Sequence, residues 1–114
     1  MSTAYYSLRI TSTNEQIPLI SDVLGVPVGK NSETGWTYEV IRGDTDSYFD
    51  FITRFLEVLK GKFTSLERIG VKRDDISFWA IYEYQEQFNI EYSPQDMKKM
   101  ANEGITLCVS CYQP

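Results

Sequence analysis

Ile76-Ser77-Phe78-Trp79-Ala80-Ile81-Tyr82-Glu83-Tyr84 is the stretch that decides the architecture. It repeats every two residues: Ile76, Phe78, Ala80, Tyr82 and Tyr84 fall on one side, Ser77, Trp79, Ile81 and Glu83 on the other. Successive side chains of an extended chain point to opposite faces, so this alternation predicts a strand with one face in a core. Upstream, Phe49, Ile52, Leu56 and Leu59 recur with helical spacing, and Gly61 stops the pattern. Phe51, Phe55 and Val58 widen that apolar stripe, so this helix is either buried on more than one side or offers apolar surface to a partner. Between helix and strand, residues 63–71 are expected to form a second, short helical segment. Downstream, residues 85–87 are read as a tight turn into Phe88, Ile90 and Tyr92, a further strand. Ser93-Pro94-Gln95-Asp96 then caps a helix bearing Met97, Met100 and Ala101, Gly104 ends it, and Ile105, Leu107, Val109 and Cys111 alternate in a last strand.

The first half follows the same logic. Tyr6, Leu8 and Ile10 alternate with Ser7, Arg9 and Thr11 as a half-buried strand. Asn14 is placed to cap a short helix carrying Ile17, Ile20, Val23 and Leu24, in which Pro18 is tolerable only within the first turn. Gly25 and Pro27 end that helix, and residues 28–35 read as an exposed loop. Trp36, Tyr38 and Val40 against Thr37, Glu39 and Ile41 give a second strand, and residues 43–47 supply turn and cap chemistry for the long helix. The order is β-α-β-α-β-β-α-β. A mostly antiparallel sheet with helices gathered on one face makes a two-layer α+β domain, and residues 1–114 are the size of one such unit.

The chain is 42% hydrophobic, with eight Tyr, six Phe and two Trp, enough for a core without disulfide or metal. The N-terminus shows neither the basic nor the apolar region of a signal peptide, and no apolar run approaches a membrane span. With two cysteines and no export signal, a cytoplasmic location is expected. Net charge is −5, and Lys60, Lys62, Arg68, Lys72 and Arg73 are interrupted by Glu67, Asp74 and Asp75. A nucleic acid is therefore not an expected partner, whereas a basic protein would be drawn to the chain.

Several elements together resemble a known family. They are Leu8-Arg9-Ile10, Ile17, Leu24-Gly25-Val26-Pro27, Gly35-Trp36, the hairpin at Phe88, Ser93-Pro94, Gly104-Ile105 and Tyr112. Over nearly its whole length the chain resembles the bacterial family catalogued as domain of unknown function 4279. That resemblance implies no catalytic residues to carry over. It implies, by analogy only, the role of small bacterial immunity proteins, which neutralise a toxin by covering its active site.

Histidine is absent, which removes the most versatile general base and the commonest metal ligand, and neither a P-loop nor a G-x-G-x-x-G occurs. No enzyme activity and no cofactor are expected. Cys108 and Cys111 form a C-x-x-C late in a strand, where positions i and i+3 face opposite ways and neither pair nor share a metal easily. Asp44, Asp46 and Asp50 gather before the long helix and read as capping in preference to a metal site, since they fit no calcium loop. Glu39 and Glu83 fall on one sheet face, as glycosidase carboxylates would, and equally as two surface glutamates would.

If the helices cover the side bearing Leu8, Val40, Phe78 and Val109, the opposite side shows Arg9, Glu39, Ile41, Trp79, Ile81, Glu83 and Tyr112. Trp, Tyr and Arg are the residue types that dominate protein interfaces. The alternative is that the 28–35 loop or the chain ends cover this side, or that one bulge inverts the two sets. The expected function is protein binding, most concretely as an immunity protein inhibiting a basic toxin such as a nuclease. Behind it stand a small-ligand receptor or enzyme using a pocket around Arg9, Trp79 and Glu83, and a homo-oligomer packed through the wide apolar helix.

Overall fold

Strand β1 (Thr3–Thr11) is hydrogen-bonded on both sides. It runs antiparallel to β2 (Gly35–Gly43), with Leu8 opposite Tyr38, and antiparallel to β3 (Ile76–Glu83), with Leu8 opposite Phe78. β4 (Thr106–Tyr112) adds parallel to β3, with Leu107 beside Phe78, so the sheet order is β2-β1-β3-β4. The structure is a computed structural model and describes residues 3–29, 35–43, 49–85 and 90–113. Among these lie helices α1 (Gln16–Leu24), α2 (Phe51–Leu59), α3 (Phe63–Arg68) and α4 (Pro94–Glu103), and a 3-10 turn, Arg73–Asp75, that leads into β3.

The core lies between one face of the sheet and the helices. Tyr6, Leu8, Ile10, Trp36, Ile76, Phe78 and Ala80 from the strands meet Ile20, Phe51, Ile52, Phe55, Leu59, Leu66 and Met100 from the helices, all buried. Phe55 is the hub. Its ring lies 5.4 Å from that of Phe78 and 6.1 Å from those of Tyr38 and Phe51, in edge-to-face geometry that suits aromatic quadrupoles. Trp36 is fully buried, and its indole N–H donates to the Ser21 hydroxyl at 2.8 Å, which removes the polar cost of burying it. Phe51, Ile52, Phe55 and Leu59 give α2 one buried side, and Leu56 and Val58 at the margins of its wide apolar stripe stay half-buried.

The two-layer α+β architecture with a mostly antiparallel sheet is as the sequence implies, and several local signals hold. Ser93 accepts from the Asp96 N–H at 3.1 Å with Pro94 in the first turn of α4, and Gly25 and Gly104 end their helices at φ +72° and +65°. Asp50 caps α2, accepting from the Thr53 N–H at 3.2 Å and its hydroxyl at 2.7 Å, whereas Asp44 and Asp46 lie outside the described residues.

Three local expectations are corrected. α1 is capped by Thr13, not Asn14: the Thr13 hydroxyl accepts from the Gln16 N–H at 3.3 Å, and the Gln16 side chain accepts from the Thr13 N–H at 2.9 Å. Ile90 and Tyr92 are not in a strand. Because β4 is parallel to β3, the chain must leave the sheet and cross the helix layer before returning, and Tyr92 packs edge-on against Phe51 there. Phe88 and most of the expected turn lie outside the described residues. Finally, Val109 faces the helix side but stays 42% exposed, since β4 lies at the sheet's edge.

Candidate functional site: the helix-free face of the sheet

The register places all seven sequence-derived candidates on the face turned away from the helices. Across the strands, Ile41, Tyr5, Ile81 and Ser110 form one row, Glu39, Ser7, Trp79 and Cys108 the next, and Thr37, Arg9, Ser77 and Thr106 a third. Beyond the first row, Tyr112 lies beside Glu83. Ile41 is 56% exposed and Tyr112 39%, Glu39 is exposed, and Arg9, Trp79, Ile81 and Glu83 are half-buried.

Two clusters organise these residues. At one end the Arg9 guanidinium lies 4.2 Å from the centroid of the Trp79 ring, and the indole N–H donates to the Ser77 hydroxyl at 2.9 Å. The indole is thereby laid along the sheet with its π face under a cation. At the other end, one carboxylate oxygen of Glu83 accepts from the hydroxyls of both Tyr5 and Tyr112, each at 3.2 Å. Local desolvation, and then the hydrogen bond to the Glu83 carboxylate, push Tyr112 up to about 12, so its phenol stays protonated at neutral pH.

The clusters do not converge. Arg9 lies opposite Ser77, six positions along β3 from Glu83, which at about 3.4 Å per residue is roughly 20 Å. Arg9, Trp79 and Glu83 therefore do not line one pocket. Glu39 and Glu83 stand two strands and four positions apart, roughly 16 Å between their Cα atoms by strand and residue spacing, and Glu83 is turned to its tyrosines. That arrangement does not resemble a glycosidase pair. Cys108 lies on this face beside Trp79 and Cys111 on the opposite one beside Tyr82, both as free thiols.

Tyr5, Ser7 and Thr37 belong to the face but were not among the candidates. Ser7 and Thr37 are buried on it. Extending the alternation of β1 back by one residue was the signal for Tyr5. The 28–35 loop, the alternative cover for this face, touches its margin, where Gly29 donates its backbone N–H to the Thr37 carbonyl at the edge of β2; residues 30–34 lie outside the described residues. Elsewhere, an open groove of about 560 Å³ runs beside α2 and α4, with Leu56 and Phe63 among its apolar lining and Lys60 and Lys99 among its charged lining. Among the described residues no helix is long and apolar enough to cross a membrane, and no group of three His, Cys, Asp or Glu could hold a metal ion.

No family model, no curated protein and no solved structure matches the chain.

Proposed function

We propose that this chain is a protein-binding module that works through the helix-free face of its sheet, most concretely as an immunity-type protein covering a basic toxin in a bacterial cytoplasm. One observation carries the reading: the row Ile41–Tyr5–Ile81 is an apolar and aromatic strip that no helix among the described residues covers, with Glu39 and the Glu83 carboxylate beside it. Such a strip supplies the desolvated centre of an interface, and the carboxylates beside it supply recognition of Arg or Lys. The net charge of −5 speeds encounter with a basic partner, and the absence of histidine limits the means of catalysis. The sequence resemblance to the family of domain of unknown function 4279, which no family model supports, would lead the same way by analogy.

Affinity capture with the wild-type chain alongside Ile41→Asp and Trp79→Ala provides the test. A stoichiometric basic protein retained by the wild type, and lost or weakened at least tenfold by Ile41→Asp, is the expected result. Equal retention by both variants, each shown to be folded by circular dichroism, would move the interface elsewhere, and repeated recovery of no partner would defeat the proposal. The groove beside α2 and α4 favours a second reading, a receptor for a small ligand held among Lys60, Lys99, Glu57 and Glu103. A ligand at a hundred times its dissociation constant would add about 2.7 kcal/mol of stability in a thermal-shift screen, and Lys99→Ala would remove that gain.

A further inference from the structure

The two edges of the sheet are finished differently. Along β2, Gly29 is bonded to the Thr37 carbonyl, and Glu39 places a charge on the strand. Proteins ordinarily protect a sheet edge in this way, with a cover, a charge, a proline or a bulge. Among the described residues β4 has none of these. Thr106-Leu107-Cys108-Val109-Ser110-Cys111-Tyr112 carries no charge and no proline, its register with β3 is unbroken, and Val109 through Tyr112 are exposed. The Tyr112 carbonyl accepts from the Tyr84 N–H at 2.9 Å, so the backbone groups of Tyr112, and by alternation those of Ser110, Cys108 and Thr106, face β3. The N–H and C=O groups of Leu107, Val109 and Cys111 therefore aim outward, and among the described residues no backbone group is bonded to them.

We propose that this edge pairs with β4 of a second copy, antiparallel about a two-fold axis through Val109, so that the two sheets become one. In that register Val109 faces the partner's Val109, and Leu107 faces the partner's Cys111. These are the outward-aimed residues, and each exchanges both of its backbone bonds with its counterpart, which satisfies every free group of the edge. The side chains agree as well. Half-exposed Val109 covers its twin on the helix side, while on the other face Cys108 meets the partner's Ser110 and Thr106 meets the partner's Tyr112. An isologous contact requires one patch to fit itself, and this strand read backwards through Val109 does so. No charge enters the seam, which matters for a chain of net charge −5, because like charges set opposite one another in a sheet are destabilising. The inference is independent of the protein-binding proposal and would leave the candidate face continuous across both copies.

Sedimentation equilibrium of the full chain tests it. The wild type is expected to reach twice its 13.2 kDa mass as concentration rises. Val109→Lys, which sets like charges against each other on the axis at an exposed position, is expected to weaken dimerisation at least tenfold with an unchanged circular dichroism spectrum. In a Cys111→Ser background, Ser110→Cys would face the partner's Cys108 at a non-hydrogen-bonded pair, where Cα atoms are about 4.5 Å apart, within disulfide range. Mild oxidation should give a covalent dimer whose peptide map joins position 108 to position 110 of the other copy. A chain that stays monomeric at its highest soluble concentration, including one that captures only a foreign strand, overturns the proposal. So does a dimer indifferent to Val109→Lys, or one that yields no such cross-link.

Discussion

The Ser7 hydroxyl is buried at the middle of the helix-free face and has no hydrogen-bond partner among the described residues. A buried polar group left unpaired costs free energy, so Ser7→Ala is expected to be neutral or to stabilise by up to about 1 kcal/mol in urea unfolding. A loss of more than that would mean the hydroxyl has a partner in the folded chain. Tyr112 makes a second claim at this scale. Its folded value is about 12, against about 10 for an ordinary phenol, so the fold prefers the protonated form and the unfolded chain ionises first. The stability it contributes is complete below about pH 10 and fades between about pH 10 and 12. Glu83→Gln removes the carboxylate that opposes the phenolate, so a phenolate-absorbance titration, with Tyr112→Phe as the subtraction, should show the midpoint moving down. Tyr5 was legible as well, because the alternation of β1 continues through it. The hydrogen bond joining Tyr5 to Glu83 was not, since it spans residues 78 positions apart.

At the scale of elements, capping was legible wherever a single local pattern existed. Ser93 with Pro94 and Asp50 before α2 both hold. Asp50→Ala removes an acceptor bonded twice to Thr53 and should cost about 1 kcal/mol of stability, measured by denaturant midpoint at unchanged slope. The start of α1 shows where local patterns compete. Asn14 and Thr13 are both good caps, but only Thr13 has a Gln three residues on to return the bond, and that reciprocity decides. Ile90 and Tyr92 failed for a different reason. Their alternation is real, but the sheet position it would require is excluded by a parallel β4, a fact carried by no local stretch of sequence.

For the molecule as a whole, the division into two layers and the composition of each sheet face followed from periodicity, because side-chain alternation and burial are local properties. The order of strands did not, because it is set by which distant strand best completes the core. Phe55 is where the layers meet, buried and in ring contact with Tyr38, Phe49, Phe51 and Phe78. Phe55→Ala should therefore cost about 3–5 kcal/mol, a large part of the stability of a domain this size, read as a loss of the cooperative thermal transition or a large fall in its midpoint.

The strand order also bears on how the chain matures. β1 precedes the other three strands in the chain, yet it occupies an inner position, and its second neighbour begins only at Ile76. Until then a growing chain can supply one flank at best, leaving the other row of backbone groups bare beside Tyr6, Leu8 and Ile10. Closure of the sheet must wait for contacts of long sequence separation, which form slowly. Released fragments that stop short of β3 would carry an adhesive first strand and should be found with chaperones or in aggregates.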